Sequence, residues 1–199
     1  IGLDDFNTAT SKNIAATDIK YVGRDSTTYA ESTTAPTSAG KYTAKITVES
    51  QAAQVNYEIA KATPAVGNFA YTAPSSLTYD GNEKTATVIL AQGITGMGEV
   101  SVKHYRDGAC TNEVEPRNAG VYYVGIEAGE GSNYNATSTV LRDECWCFTI
   151  TRAVPSVEDF DYSAPSNLTY DGSEKTATVT STKSGMGEVT VKYYRDADC

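Results

Sequence analysis

Leu77-Thr78-Tyr79-Asp80-Gly81-Asn82-Glu83-Lys84-Thr85-Ala86-Thr87-Val88 returns almost unchanged as Leu168-Thr169-Tyr170-Asp171-Gly172-Ser173-Glu174-Lys175-Thr176-Ala177-Thr178-Val179, with Asn82 alone replaced, by Ser173. So close a recurrence marks a tandem array, and the repeat has to be settled before any fold is argued. A second stretch, Gly96-Met97-Gly98-Glu99-Val100 through Asp107, recurs as Gly185-Met186-Gly187-Glu188-Val189 through Asp196. The offset is 91 from Tyr79 to Tyr170 but 89 from Met97 to Met186. The later copy has therefore lost two residues between the stretches, around Ala91 to Ile94, which places a surface loop there.

The period divides the chain into residues 1–60, the later part of one unit; 61–150, a complete unit; and 151–199, the first half of another. In the first, Ala39-Gly40-Lys41-Tyr42 matches Ala119-Gly120-Val121-Tyr122, and Val55 to Ile59 matches Trp146 to Ile150, while residues 1–18 match nothing. The joints Lys61-Ala62-Thr63-Pro64 and Arg152-Ala153-Val154-Pro155 are short and Pro-containing, so adjacent units should sit close together. The chain is expected to begin inside one repeat and stop inside another, at Cys199, the counterpart of Cys110. A piece of a longer protein would do so. So would a fibre subunit whose part-units complete each other head to tail by strand addition.

Within the complete unit apolar residues alternate with period two. Val100, Val102 and His104 form one set, Tyr122, Val124 and Ile126 a second, and Trp146, Phe148 and Ile150 a third. Asp80-Gly81 supplies a tight turn. No window has a helical period. Several short strands separated by turns in about 90 residues predict an all-β fold of tandem antiparallel Ig-like β-sandwich modules.

Composition narrows function. Among 199 residues, 25 acidic side chains oppose 16 basic ones, a net charge of −9. That disfavours nucleic acid and anionic membrane surfaces as partners. No apolar run approaches the roughly 18 residues of a membrane span.

The combined pattern is L-T-Y-D-G-x-E-K-T-A-T-V (Leu77 to Val88), G-M-G-E-V-x-V-K-x-Y (Gly96 to Tyr105), A-G-x-Y-Y-V (Ala119 to Val124), G-x-N-Y-N-A (Gly131 to Ala136) and F-T-I (Phe148 to Ile150). It resembles the MBG/YDG-type bacterial Ig-like repeats. The resemblance implies tandem β-sandwich modules of large secreted or surface-anchored, adhesin-like proteins, with no shared catalytic residues. It thus implies an extracellular or cell-surface location and a stalk or fibre role, whose partners are neighbouring repeats and, through head-to-tail self-assembly, other copies. The alternative function is a module that binds carbohydrate or a host surface protein.

Cys110, Cys145, Cys147 and Cys199 depart from the family pattern. Cys145 and Cys147 lie out of phase with Trp146 and Phe148, so they should face outward. A disulfide from Cys110 to one of them, with Cys199 pairing elsewhere, is the preferred reading over a zinc site. His104, the one histidine, stands where the other copy has Tyr193, which argues for a structural aromatic rather than a catalytic base. No enzyme activity and no cofactor are expected. The acidic groups Asp80/Glu83, Asp171/Glu174 and Glu127/Glu130 with Asn133 leave calcium as the one cation to consider, against a solvated turn or loop. Tyr105, Tyr123 and Tyr134 are the candidates for a sugar-binding surface, since tyrosine joins a flat apolar face to a polar tip.

Overall fold

The computed structural model describes residues 15, 18–48 and 51–195. It is an all-β chain of antiparallel sheets, with short 3₁₀ turns at Val66–Asn68 and Val157–Asp159. Among the described residues ten strands follow in order: β1 (Lys20–Gly23), β2 (Gly40–Val48), β3 (Gln51–Ile59), β4 (Phe69–Thr72), β5 (Thr87–Leu90), β6 (Val100–Tyr105), β7 (Gly120–Ala128), β8 (Leu141–Ile150), β9 (Phe160–Ser163) and β10 (Thr178–Ser181).

Residues 61–150 build a sandwich from two antiparallel sheets, β4–β5 and β6–β7–β8. The alternation read from sequence decides what lies between them. Tyr122, Val124, Ile126 and Ala128 of β7, with Trp146, Phe148 and Ile150 of β8, are all buried. Phe69 and Ala86 close the core from the other side, with Tyr71, Leu77 and Val88 packed against it. Aromatic contacts cross the gap between the sheets. Trp146 meets Phe69 edge-on at 6.5 Å and stacks on Tyr71 at 6.4 Å, the geometries that the ring quadrupole favours. Opposite Val124, β8 bulges: Tyr123 pairs with Cys147 and Gly125 with Arg142, so four residues of β8 face one of β7.

The entry to β7 is pinned by Tyr122. Its hydroxyl donates to Asn118 O at 2.7 Å and accepts from Asn118 N–H at 3.1 Å and Arg106 Nη2 at 2.6 Å. Tyr42, at the same place in β2, donates to Ser38 O at 2.9 Å. Both are tyrosine corners, in which a buried ring reaches back four residues to hold the turn into its strand.

The repeated stretch does more than turn. Leu77 to Tyr79 runs parallel to the end of β8 and pairs with Thr151 (Tyr79 N–H to Thr151 O at 2.9 Å, Thr151 N–H to Leu77 O at 2.7 Å). Asp80 then makes the turn: its Oδ1 accepts Asn82 N–H at 2.9 Å, and Gly81 takes φ 81°. Asp171 and Ser173 repeat this bond at 3.0 Å. The hairpin pairing of β4 with β5 runs from Phe69↔Leu90 to Thr72↔Thr87, so Asp80-Gly81 lies on a long excursion between the strands and not at a hairpin tip. The β9–β10 pairing, Phe160↔Ser181 to Ser163↔Thr178, reproduces that register 91 residues later (Phe69 to Phe160). The expected length change falls where predicted, in the turn after β5, where Ile94 N–H bonds Ala91 O.

Removing the hydroxyl in Tyr122→Phe leaves the ring stacked on Phe148 but strips three hydrogen bonds from a buried corner. We expect a loss of about 1–3 kcal/mol of stability, read by urea denaturation as a lower midpoint with an unchanged slope.

Candidate functional site

His104 sits on β6 with only 7% of its surface exposed. Its Nε2 accepts the backbone N–H of Ala86 at 3.2 Å, and its ring meets Phe148 edge-on at 5.8 Å. In the later copy the hydroxyl of Tyr193 accepts the N–H of Ala177, the counterpart of Ala86, at 2.8 Å. Histidine and tyrosine thus supply one acceptor to one amide. Burial pushes the His104 imidazole below its usual value, with Glu83 opposing weakly, and the accepting Nε2 requires the neutral ring.

The outer face of β6–β7–β8 is where reading and structure part. Tyr105 was a candidate for a sugar surface, yet it is 4% exposed. The loop after β6 folds back over it. Glu113 bridges to Tyr105, Val114 N–H bonds His104 O at 2.8 Å, and Arg106 N–H bonds Asn112 O at 3.0 Å. Asp107 holds this loop by accepting Asn112 N–H at 2.7 Å and the Thr111 N–H and hydroxyl. Tyr123 and Tyr134 are partly exposed, Tyr123 against Gly108 and Tyr134 in a parallel bridge to Ala62. The three tyrosines therefore form no common aromatic platform, because one of them is core to a loop.

The same loop accounts for the cysteines. Cys145 is exposed and Cys147 partly so, facing outward as the alternation requires. Cys110 is turned inward by a left-handed backbone, φ 56°, onto Gly125, and burial pushes its thiol up. All three are free, so the expected bridge from Cys110 is not made; a thiol filling a gap under a loop behaves as a small hydrophobe. Cys199 lies outside the described residues.

Four of the carboxylates proposed for calcium, Asp80, Asp171, Glu127 and Glu130, are engaged by cations of the chain. Asp80 Oδ2 takes Lys84 Nζ at 2.6 Å, which holds the carboxyl below its usual range, and Asp171 takes Lys175 at 2.5 Å. Lys84 is 7% exposed, so this turn is less solvated than its charges suggested: the lysine stem packs inward, and the residue's backbone N–H donates to Pro116 O at 2.9 Å. Glu127 pairs with Lys103 at 2.9 Å and Glu130 with Lys61 at 2.5 Å. Among the described residues no group of three or more His, Cys, Asp or Glu side chains converges as a metal site.

Asn133, grouped in the sequence with the acidic loop of Glu127 and Glu130, has a different role here, at the joint between units. Its Oδ1 accepts Ala39 N–H at 2.9 Å, Nδ2 donates to Thr95 O at 3.2 Å, its N–H donates to Gly96 O at 2.9 Å, and its carbonyl accepts Ala62 N–H at 2.9 Å. One residue thus ties the first unit, the joint and the second unit together. The signal was present in the Gly131-x-Asn133-Tyr134-Asn135 motif, but nothing in a motif says which of its polar atoms reach outside their own unit. The joint strand is completed by Asn135 N–H on Ala62 O at 2.9 Å.

Comparison with family models, curated proteins and solved structures finds no match to this chain.

The buried acceptor gives a pH signature. Unfolded His104 takes up a proton near pH 6.5, whereas the folded ring resists it, so the unfolded state binds more protons as pH falls. Stability contributed here is full above about pH 7 and falls as the pH drops below about 6.5. His104→Tyr should keep the fold and flatten this slope in denaturation curves taken between pH 5 and 7.5; an unchanged slope would locate the titration elsewhere.

Proposed function

We propose that the chain is a non-catalytic structural segment, a stalk or fibre section of an extracellular or cell-surface protein whose units are joined end to end. The observation that carries this reading is the Asn133 joint. A linker of four residues would let two units swivel, but here it is paired on one edge and tied by a side chain to both neighbours. Asn133→Ala removes the bonds to Ala39 and Thr95 while sparing the β1–β2–β3 sheet and the sandwich of residues 61–150. Small-angle scattering of the 199-residue chain should show a defined maximum dimension, and the variant a broader, shorter distribution with unchanged circular dichroism. Identical curves would deny the joint its stiffening role. Among the described residues no helix is long and apolar enough to cross a membrane.

A second reading, assembly of copies head to tail, is favoured by two uncovered faces. Around β9–β10, Leu168, Tyr162, Tyr193 and Tyr170 are open to solvent, the last at 93%. At the other end, the β1–β2–β3 sheet leaves Val55, the counterpart of core Trp146, 60% exposed. One end thus offers the smaller sheet of a sandwich and the other the larger. Apolar patches of this kind mark association surfaces. Light scattering coupled to size exclusion should give a mass that rises with protein concentration. A constant monomer mass up to several hundred micromolar, on the order of a weak dissociation constant, removes the self-assembly variant and leaves the stalk.

A further inference from the structure

Leu77-Thr78-Tyr79, where the repeated stretch begins, lies against the residue through which the chain leaves the complete unit. Thr151 N–H donates to Leu77 O at 2.7 Å, and its hydroxyl donates to the same carbonyl at 3.1 Å. Tyr79 N–H donates to Thr151 O at 2.9 Å. The two segments run parallel, bridged at Thr78 and Thr151. Leu77 and Tyr79 pack against the core, so the patch rests on a low-dielectric floor that strengthens its bonds.

Direction decides what this patch does under tension. A unit joined at both ends is pulled through its entry, Lys61, and its exit, Arg152. From Lys61 the pull reaches β4, held to β5 by the four pairs from Phe69↔Leu90 to Thr72↔Thr87, and beyond β4 it reaches Leu77. From there the covalent path to the exit runs the whole way from Asp80 to Ile150, through β5, β6, β7 and β8. The three bonds to Thr151 cross that distance in one step. Leu77 is drawn toward the N-terminus and Thr151 toward the C-terminus. Parallel segments drawn in this way slide along each other. The bonds of a ladder lie across the strands, so all three are strained at once. Antiparallel segments drawn in the same way would peel from one end, one bond after another.

We propose that the pairing of Leu77–Tyr79 with Thr151 is the load-bearing clamp of the unit: it carries tension from entry to exit, and its rupture sets how long the chain from Asp80 to Ile150 stays folded under a pull. This rests on the stalk reading and adds to it what the unit is built to carry. The entry strap is a lesser fastening. Ala62 makes one parallel bridge, to Tyr134, with bonds to Asn133 O and Asn135 N–H, both at 2.9 Å. Its partner loop is not at the exit, so those bonds shield only the few residues before β4.

The test holds the 199-residue chain in optical tweezers by azide-bearing residues placed at positions 60 and 153. The readout is the lifetime, at constant force, of the event that releases Asp80 to Ile150, roughly 250 Å of extended chain. Such lifetimes report the unfolding rate. Thr151→Pro removes the main-chain donor and the hydroxyl together and should shorten the lifetime about ten-fold or more. Thr151→Val keeps the shape, loses the hydroxyl alone and should shorten it about three-fold. Ala62→Pro removes the donor to Asn133 O and should leave it unchanged. With the handles moved to Gln92 and Ser138, both exposed, the clamp is off the line of pull, and the Thr151 variants should behave as the parent. An equal shortening on that second axis would make Thr151 a merely stabilising residue and overturn the proposal. So would an unchanged lifetime on the first axis. Where Thr151→Pro does not fold, Thr151→Val decides on both axes. The scattering result on the first joint is independent of these lifetimes, so a failed clamp leaves the stalk reading standing.

Discussion

Tyr122 is the group on which the complete unit depends. Its ring is fully buried and stacked on Phe148 at 5.6 Å, while its hydroxyl is the meeting point of Asn118 and Arg106. The Arg106 guanidinium also lies 4.0 Å over the ring. A buried hydroxyl without partners would cost more than its ring contributes beyond a phenylalanine, so the turn before β7 has to present a backbone N–H and carbonyl at the right place. That requirement fixes how the chain enters the central strand of the larger sheet. β6 and β8 take their register from it, and the β4–β5 sheet packs on the face so formed. Tyr42 imposes the same entry on β2.

Alternation made the inner face legible. Which residues of β7 and β8 lie in the core follows from period two, and Trp146, Phe148 and Ile150 are where that pattern puts them. The outer face was not legible for a physical reason: alternation tells which side of a sheet a residue takes, never whether something covers that side. Tyr105 and Cys110 are buried because Asp107 caps a loop that folds over the outer face, and that capping is local chemistry with no periodicity to betray it. Lys84 misled in the opposite sense. A charged turn reads as solvated, but a lysine stem can pack inward so long as Asp80 meets its ammonium.

The exchange of His104 for Tyr193 shows what kind of information a repeat carries. The constraint is an acceptor placed beside the N–H of Ala86 or Ala177, and a ring to carry it there. Two unlike side chains meet it, so interchange at equivalent positions was a sound guide to a structural role even with one histidine to judge from. Among the cysteines the one equivalent pair is Cys110 with Cys199, and Cys199 lies outside the described residues.

In a simple array each unit contributes its own stability and neighbours add an interface term. The size of that term here turns on which contacts at the joint count. The Lys61–Glu130 pair is exposed on its acidic side, and such pairs contribute little, typically under about 1 kcal/mol. Asn133 is different in kind. Its side chain spends both of its ends on main-chain groups of different units, and its backbone spends both of its own on the joint and the second unit. Four neutral hydrogen bonds of roughly 1 kcal/mol each, made by one residue already fixed in a loop, need little further ordering of the chain. The joint therefore couples its neighbours through geometry more than through charge, and salt should leave that coupling largely in place while a single amide governs it.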